Sequence, residues 1–348
     1  MRREVSVFLD LTRFLAAFLV FLSHASWMNH SGGMLWQLGG VGREAVDVFF
    51  VLSGFVMAHV VAGRHISARD YAINRIARIA SVAVPALVVT WLLDGVGMGR
   101  RAEIYAASCC DPGWLAYGRN LIFTGDVWWW HVSPGSNVPY WSLGFEAWYY
   151  LAFGLLVFLP GVAGIAAAVL AMAVAGPGIA ALFPLWLLGV GCYRGCQRPA
   201  SEGVGWGLFL SGWAVILAVA VFGVRRGQIY DGFELSWGRM ADYGHDYATG
   251  LGFVLALIGF SAICGRFSAV SMVISRPIRW LAGATFALYL FHLPMLHFLA
   301  AVLPWPGASW QARVMIYVGV PLMALGLAEV TERRKSWWRK GLVAIWLR

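Results

Sequence analysis

Long apolar runs recur along the whole 348-residue sequence, and they constrain the fold more than any other feature. The chain is 60% hydrophobic and 12% charged, whereas soluble domains are about 45–50% apolar and about 25% charged. A helix of about 20 apolar residues crosses the hydrocarbon core of a bilayer. We therefore expect an all-α, polytopic membrane protein, a helical bundle within which any chemistry must lie.

The length rule predicts about ten transmembrane helices, near residues 8–27, 45–63, 79–95, 141–160, 162–176, 178–193, 204–223, 248–265, 283–303 and 313–331. The fifth and sixth spans are short and are joined by Gly176-Pro177-Gly178. One kinked or re-entrant element over 162–193 is therefore an alternative to two spans. Residues 1–335 are then one transmembrane domain, followed by a short basic cytoplasmic tail over 336–348.

Positive charge predicts the orientation of these spans. With the N-terminus inside, seventeen Lys and Arg residues fall in cytoplasmic segments and eight in outer segments, and Arg13 lies within the first span. This bias follows the positive-inside rule, so we expect both termini in the cytoplasm. An uncleaved, Arg-rich N-terminus fits a multi-pass protein of the bacterial inner membrane. No basic–aromatic tract indicates nucleic-acid binding, and Cys192 and Cys196 lack the companions of a metal site.

The first span, within "LDLTRFLAAFLVFLSHAS", carries two polar residues at a helical interval. Arg13 and His24 are eleven positions apart, which is about 20° past three turns and about 16 Å along a helix axis. They therefore share a face, and Asp10 can pair with Arg13. Ionisable groups inside a membrane mark functional sites by default. The alternative is that Arg13 snorkels to the inner interface and His24 caps the helix end.

Two further spans carry candidate groups. The second contains Asp47, Ser53 and Gly54 in "GGVGREAVDVFFVLSGFVM", where small residues either allow close helix packing or leave backbone groups open to a ligand. The ninth contains His292 two residues before Pro294. Proline leaves a backbone carbonyl unpaired within two turns, and His292 could satisfy it as a structural residue.

The fourth span begins "NVPYWSLGFEAWYYLAF" and places Trp141, Ser142 and Glu146 near the outer boundary. Glu146 lies at a depth similar to that of His24, so its carboxylate could orient that imidazole. An ion pair with an arginine is the alternative. The preceding outer loop, residues 96–140, is rich in Trp, which favours interfacial anchoring or a sugar-stacking platform.

Five strings in a fixed order resemble a known family. They are the Arg13-to-His24 spacing, "GGVGREAVDVFFVLSG", "YAINRIARIASVAVP", "PYWSLGFEAWYYL" and "YLFHLPM". Together they are similar to the acyltransferase family 3 membrane enzymes over residues 9 to about 297. "SLGFE" departs from other members only in its variable middle, at Gly144 and Phe145.

The resemblance implies transfer of an acyl group, commonly acetyl from acetyl-CoA, to a hydroxyl of a carbohydrate. Acceptors of the family are surface glycans such as lipopolysaccharide and exopolysaccharide. By motif, His24 is the expected catalytic residue, with Arg13 as its essential partner and Glu146, Ser53 and Gly54 as supporting residues. The implied partners are acyl-CoA, a carbohydrate and the lipid bilayer. Acyl-CoA is a co-substrate, and no permanently bound cofactor or metal is expected.

A mechanism that fits this spacing keeps the donor's nucleotide at the inner face. Arg13, Arg75 and Arg78 could attract its phosphates, and His24 would act as general base. A covalent acetyl-histidine is the alternative step. Residues expected to bind donor or acceptor are Asp10, Asp47, Ser53, Gly54, Arg75, Arg78, Trp141, Ser142 and His292. A glycan transporter or flippase without acyl chemistry is the competing interpretation, and the oligomeric state stays open.

Overall fold

The computed structural model describes residues 1–63, 66–106, 110–111, 113–222 and 237–346. The last residue of the predicted 204–223 span and residues 347–348 of the predicted tail lie outside these ranges. The described chain is almost entirely helical. Its two strands, Cys110–Asp111 and Ser133–Pro134, form one short parallel pair. The all-α prediction is confirmed.

Sixteen α-helices are described, several of them short. They are α1 (Arg3–Ala25), α2 (Met28–Ser31), α3 (Gly42–Ala62), α4 (Ala68–Met98), α5 (Ala102–Ala106), α6 (Trp114–Leu121), α7 (Trp141–Phe158), α8 (Gly161–Ala175), α9 (Pro177–Gly195), α10 (Glu202–Phe222), α11 (Trp237–Ile263), α12 (Ser268–Ala282), α13 (Thr285–Val302), α14 (Trp310–Val314), α15 (Val320–Val330) and α16 (Lys335–Trp346). A π-turn over Met315–Gly319 joins α14 to α15.

The polytopic prediction is also confirmed. Among the described residues, nine helical segments are long and apolar enough to cross a membrane, and α8 is a shorter apolar helix of 15 residues. Counting α8, each of the ten predicted spans coincides with one helical segment. The helices α8 and α9 are separate and meet at Gly176, whose φ of 95° lies in the region that glycine favours. Two helices, rather than one kinked helix, therefore cover 162–193, while two spans and a re-entrant pair of helices both stay predictions.

Two helical boundaries differ from the predicted layout. Helix α4 begins at Ala68, so Arg75 and Arg78 lie within the helix rather than in a segment before it. Residues 336–348, predicted as a short tail, fall largely in α16, which packs against α4. There the Arg339 guanidinium donates to the Asn74 side chain at 3.0 Å.

The chain divides into two compact units. Unit 1 comprises Met1–Ala16, Arg43–Ile66 and Ala180–Ala282, and unit 2 comprises Ala17–Gly42, Ser67–Ile179 and Gly283–Arg348. In unit 1, α10 packs on α11 so closely that a Cβ at Gly212 would overlap the Gly252 carbonyl oxygen. Small residues at such crossings let helix backbones approach, as is common in membrane bundles.

In unit 2, the mostly buried α13 packs against α4 and α15. Pro294 removes the N–H that would pair with the Leu290 carbonyl. The Asn137 side chain satisfies that carbonyl instead, donating at 2.9 Å, and lies 3.0 Å from the Thr90 hydroxyl. The expectation that His292 takes this carbonyl is wrong, because His292 pairs with a different carbonyl, described below. The buried Asn137 therefore ties the loop before α7 to both α4 and α13.

A second contact anchors the same loop. The buried Asp94 carboxylate on α4 accepts hydrogen bonds from the backbone N–H of Ser136 at 2.7 Å and from its hydroxyl at 2.6 Å. Gly135, with φ of 55°, passes so close that a Cβ would overlap this carboxylate. Together these contacts hold the start of α7, and with it Trp141 and Ser142, against the rest of unit 2.

Candidate functional site

The centre of the candidate site is a pair of histidines in unit 2. His24 lies at the end of α1, and His292 lies in the middle of α13. Nδ1 of His24 is 3.0 Å from Nε2 of His292, and the ring centroids are 5.0 Å apart. His292 is fully buried, whereas His24 is partly exposed. The pair therefore has an inner member held by the core and an outer member that is partly exposed.

The hydrogen bonds of the neutral pair assign its tautomers. Nδ1 of His292 lies 3.1 Å from the Leu288 carbonyl, and Nδ1 of His24 lies 3.0 Å from the Val20 carbonyl. A carbonyl oxygen only accepts, so each Nδ1 carries a proton. Nε2 of His292 then accepts from Nδ1 of His24, and Nε2 of His24 keeps a free lone pair. This arrangement leaves His24 able to take a proton from, or attack, a bound substrate.

Aromatic rings surround the pair. The Trp27 ring meets His24 edge-on at 4.9 Å between centroids, and the Phe21 ring meets His292 edge-on at 6.3 Å. The Tyr289 ring lies 6.2 Å from that of His292. These rings make the surroundings of the pair largely apolar, which strengthens the polar interactions there.

Ser142 is hydrogen-bonded to Tyr289, whose ring lies beside that of His292. The Ser142 and Tyr289 hydroxyls share a hydrogen bond of 2.8 Å, and the Ser142 hydroxyl also lies 3.2 Å from the Pro139 carbonyl. Trp141 is buried and packs its ring on Phe145 at 4.9 Å between centroids. Ser142 is thus placed beside the site, while Trp141 packs in the core of unit 2.

Glu146 has a different neighbourhood from the one expected. Its carboxylate accepts a hydrogen bond from the Tyr150 hydroxyl, and the Arg75 guanidinium lies 5.6 Å from the centre of the Tyr150 ring. Arg78 lies 4.9 Å from the centre of the Phe286 ring, at the start of α13. The His24 ring is oriented by its own Nδ1–H, which donates to Nε2 of His292 and to the Val20 carbonyl, whereas a role for Glu146 at His24 stays a prediction.

The other predicted residues lie in unit 1. The Asp10 carboxylate and the Arg13 guanidinium are 3.6 Å apart, and the two residues lie one turn from each other on α1. This helix is continuous from Arg3 to Ala25, so the eleven-residue interval from Arg13 to His24 is helical throughout. The ion pair lowers the cost of placing Arg13 in an apolar helix.

Helix α3 carries Asp47, Ser53 and Gly54 within unit 1. The buried Asp47 lies one turn after Arg43, whose Nε and Nη2 donate to the two carboxylate oxygens of Asp246 on α11, at 2.8 and 2.6 Å. A Cβ at Gly54 would overlap the Trp186 carbonyl oxygen of α9. Close packing of α3 on α9 therefore explains this glycine, while Ser53 is half-buried on the same helix.

Three functional candidates were not singled out from the sequence, namely Tyr150, Tyr289 and Asn137. Tyr150 and Tyr289 lie one helical turn from Glu146 and His292, and that spacing is the signal that could have found them. Asn137 lies in a loop between Pro134 and Pro139 and gives no periodic signal. In the described ranges, no group of three or more His, Cys, Asp or Glu side chains is arranged to hold a metal ion. Trp129 of the outer loop is 74% exposed, and a sugar-stacking role for it stays a prediction.

Comparison with known proteins supports the resemblance. The sequence profile of the acyltransferase 3 family, described as an acyltransferase domain, matches residues 6–345. Searches of curated proteins and of solved structures gave no match. The match extends over nearly the whole chain, from α1 to α16, and so includes the histidine pair and every predicted site residue. The chain therefore belongs to the acyltransferase 3 family.

Proposed function

We propose that this protein is an integral-membrane O-acyltransferase. It moves an acyl group, in the expected case acetyl, from a cytoplasmic acyl-CoA to a hydroxyl of a cell-surface or exported carbohydrate. Family membership supports acyl transfer. The observation that carries the assignment of His24 as general base is its hydrogen bond to His292, which leaves Nε2 with a lone pair.

In the proposed step, Nε2 of His24 takes the proton of the acceptor hydroxyl while that oxygen attacks the thioester carbonyl carbon. The new C–O bond forms, the C–S bond breaks, and the CoA sulfur leaves. His24 then returns its proton to the sulfur, so the enzyme ends the cycle unchanged. While His24 is charged, its Nδ1–H bond to Nε2 of His292 becomes a charge-assisted hydrogen bond, which stabilises the imidazolium.

The donor approaches from the cytoplasmic side in this proposal. Arg75 and Arg78 in the first half of α4 are half-buried cations suited to phosphate oxygens. Arg13 is a further candidate, since it lies about 16 Å from His24 along α1, a length comparable to an extended pantetheine arm. The positive-inside bias supports cytoplasmic termini, and an Arg-rich N-terminus fits a bacterial inner membrane.

Transfer of a radioactive label distinguishes an acyltransferase from a glycan transporter or flippase. Purified protein is mixed with [¹⁴C]acetyl-CoA and with surface polysaccharide. The polysaccharide comes from a strain of the source organism in which the gene for this protein is deleted, so its acceptor hydroxyls are unmodified. Label in the polysaccharide is the expected result. No label in the polysaccharide, together with uptake of the unmodified polysaccharide into vesicles, would support a transporter or flippase instead.

A quenched single turnover separates the two chemical routes. Direct transfer leaves no label on the protein at any time. Transient label that is acid-labile and lost in a His24→Gln variant would show the acetyl-histidine route instead.

A further inference from the structure

A cavity lies in unit 2, next to the histidine pair, and no step of the proposed reaction uses it. Its volume is about 230 Å³. Its floor is buried and formed by His30, Leu299, Ala312 and Ile316. Its exposed rim is polar and aromatic, formed by Asn29, Arg101, Glu103 and Trp305.

His30 lines this cavity and carries an unused hydrogen-bond acceptor. The side chain is 1% exposed, and its Nδ1 donates to the His24 backbone carbonyl at 2.7 Å. Nε2 therefore carries the lone pair, and it has no hydrogen-bond partner. Burial and the neighbouring His297 lower the pKa of His30 to about 3, so the ring is neutral at physiological pH. An unpaired buried acceptor is unfavourable, and a ligand hydroxyl would satisfy it.

The cavity lies close to the histidine pair, because one aromatic ring contacts both His24 and His30. The Trp27 ring contacts His24 at 4.9 Å and stacks on His30 at 5.6 Å, with 11° between the ring planes. Laid end to end, these distances put the His24 and His30 rings at most about 10.5 Å apart. That separation corresponds to neighbouring units of one extended substrate.

The rim indicates the class of ligand. Trp305 is 41% exposed and offers an apolar ring face, while Arg101 and Glu103 supply donors and acceptors whose charges cancel. The volume is below the about 300–1,000 Å³ of sites for drug-sized ligands, which suits one ring rather than a nucleotide or an acyl chain. A sugar ring matches this lining, because it has an apolar C–H face for stacking and hydroxyls for the polar groups.

We propose that this cavity is an acceptor subsite that binds one uncharged sugar unit beside the unit acylated at His24. A hydroxyl of that sugar donates to Nε2 of His30, its C–H face stacks on Trp305, and further hydroxyls bind Arg101 and Glu103. The inference rests on the proposed function, since it requires a carbohydrate acceptor. It adds the consequence that an acceptor of two or more sugar units is recognised better than one unit alone.

The test compares Trp305→Ala with Trp310→Ala, a matched control that is 70% exposed and does not line the cavity. Polysaccharide from the gene-deletion strain is cleaved into fragments of one, two and four sugar units. We expect Trp305→Ala to raise the acceptor KM for the longer fragments about 3–10-fold. The kcat, the KM for acetyl-CoA and the KM for the single unit should stay at the values of the intact protein. Arg101→Ala should have a similar effect.

Equilibrium binding of the four-unit fragment, without acetyl-CoA, keeps this test independent of catalysis. Weaker binding to Trp305→Ala than to Trp310→Ala supports the subsite. Equal affinity of the two variants and the intact protein would overturn it, even if transfer proceeds. If the fragment binds through Trp305 but no label is transferred, the acyltransferase proposal fails while the sugar subsite stands.

Discussion

Replacing His292 tests how the histidine pair works. His292→Leu removes the acceptor for Nδ1–H of His24, whereas His292→Gln keeps an amide oxygen that can accept in place of Nε2. Neither change leaves a backbone carbonyl unpaired, because Leu288 also accepts within helix α13. A similar side-chain volume in the buried position limits the cost to folding.

The size of the effect follows from the hydrogen bonds. In the neutral enzyme, the Val20 carbonyl at 3.0 Å still accepts from His24 in the Leu variant, so the tautomer is largely kept. The loss falls on the charged state, where a hydrogen bond to an ionised group contributes about 1.5–3 kcal/mol. We therefore expect His292→Leu to lower kcat about 10–150-fold, with little change in the KM for acyl-CoA.

The kcat of each purified variant is measured by steady-state acetyl transfer. We expect the kcat of His292→Gln to lie close to that of the intact protein. Thermal unfolding of each variant in detergent checks that the bundle is intact. Equal losses in the Leu and Gln variants would refute the role of His292 as an acceptor for His24. A raised KM for acyl-CoA with unchanged kcat would instead show that His292 binds the donor.

Three further predictions concern the framework of the site. Asn137→Ala leaves the Leu290 carbonyl unpaired, so thermal unfolding should show a loss of about 1–3 kcal/mol, and an unchanged Tm would contradict the anchoring role. Gly54→Ala should disrupt the packing of α3 on α9 and lower the yield of folded protein in gel filtration, unlike Gly191→Ala, where a Cβ meets no atom within 4 Å. The pKa of His30 is lowered to about 3 in the folded protein, so the unfolded chain binds its proton more tightly. The full contribution of His30 to the free energy of unfolding is present above about pH 6.5. It falls as the pH drops towards 3, by at most about 1.4 kcal/mol per pH unit. His30→Asn should remove that part of the acid sensitivity in unfolding curves, and identical pH dependence in both proteins would count against a buried neutral His30.

The membrane-spanning helices could be predicted because length and apolar composition decide them. Each predicted span coincides with a helix, including the short α8. The boundaries were less predictable, since hydropathy does not detect helices that carry charge. Helix α4 continues through Arg75 and Arg78, and α16 forms where a tail was expected, because neither 68–78 nor 335–346 contains a proline.

The contacts that build the candidate site could be predicted only in part. Helical spacing identifies His24 and His292 as residues inside spans, but it does not determine which helix faces meet. Their hydrogen bond joins positions 268 residues apart, and Glu146 was the more obvious partner from its depth alone. The role of Asn137 depends on a loop conformation set by Asp94 and Ser136, and loops of this kind have no periodic signal.

Acetyl transfer by a His24→Gln variant tests the central claim most directly. The measurement is the rate of label transfer from [¹⁴C]acetyl-CoA to polysaccharide of the deletion strain, at saturating concentrations of both. His59→Gln, a change at a histidine on α3 outside the candidate site, serves as the control. We predict that His24→Gln lowers the rate by about 10²–10⁴-fold, the contribution of a general base, while the protein keeps the helical content and elution volume of the intact form. Transfer by a folded His24→Gln variant at the rate of the intact protein would contradict the account.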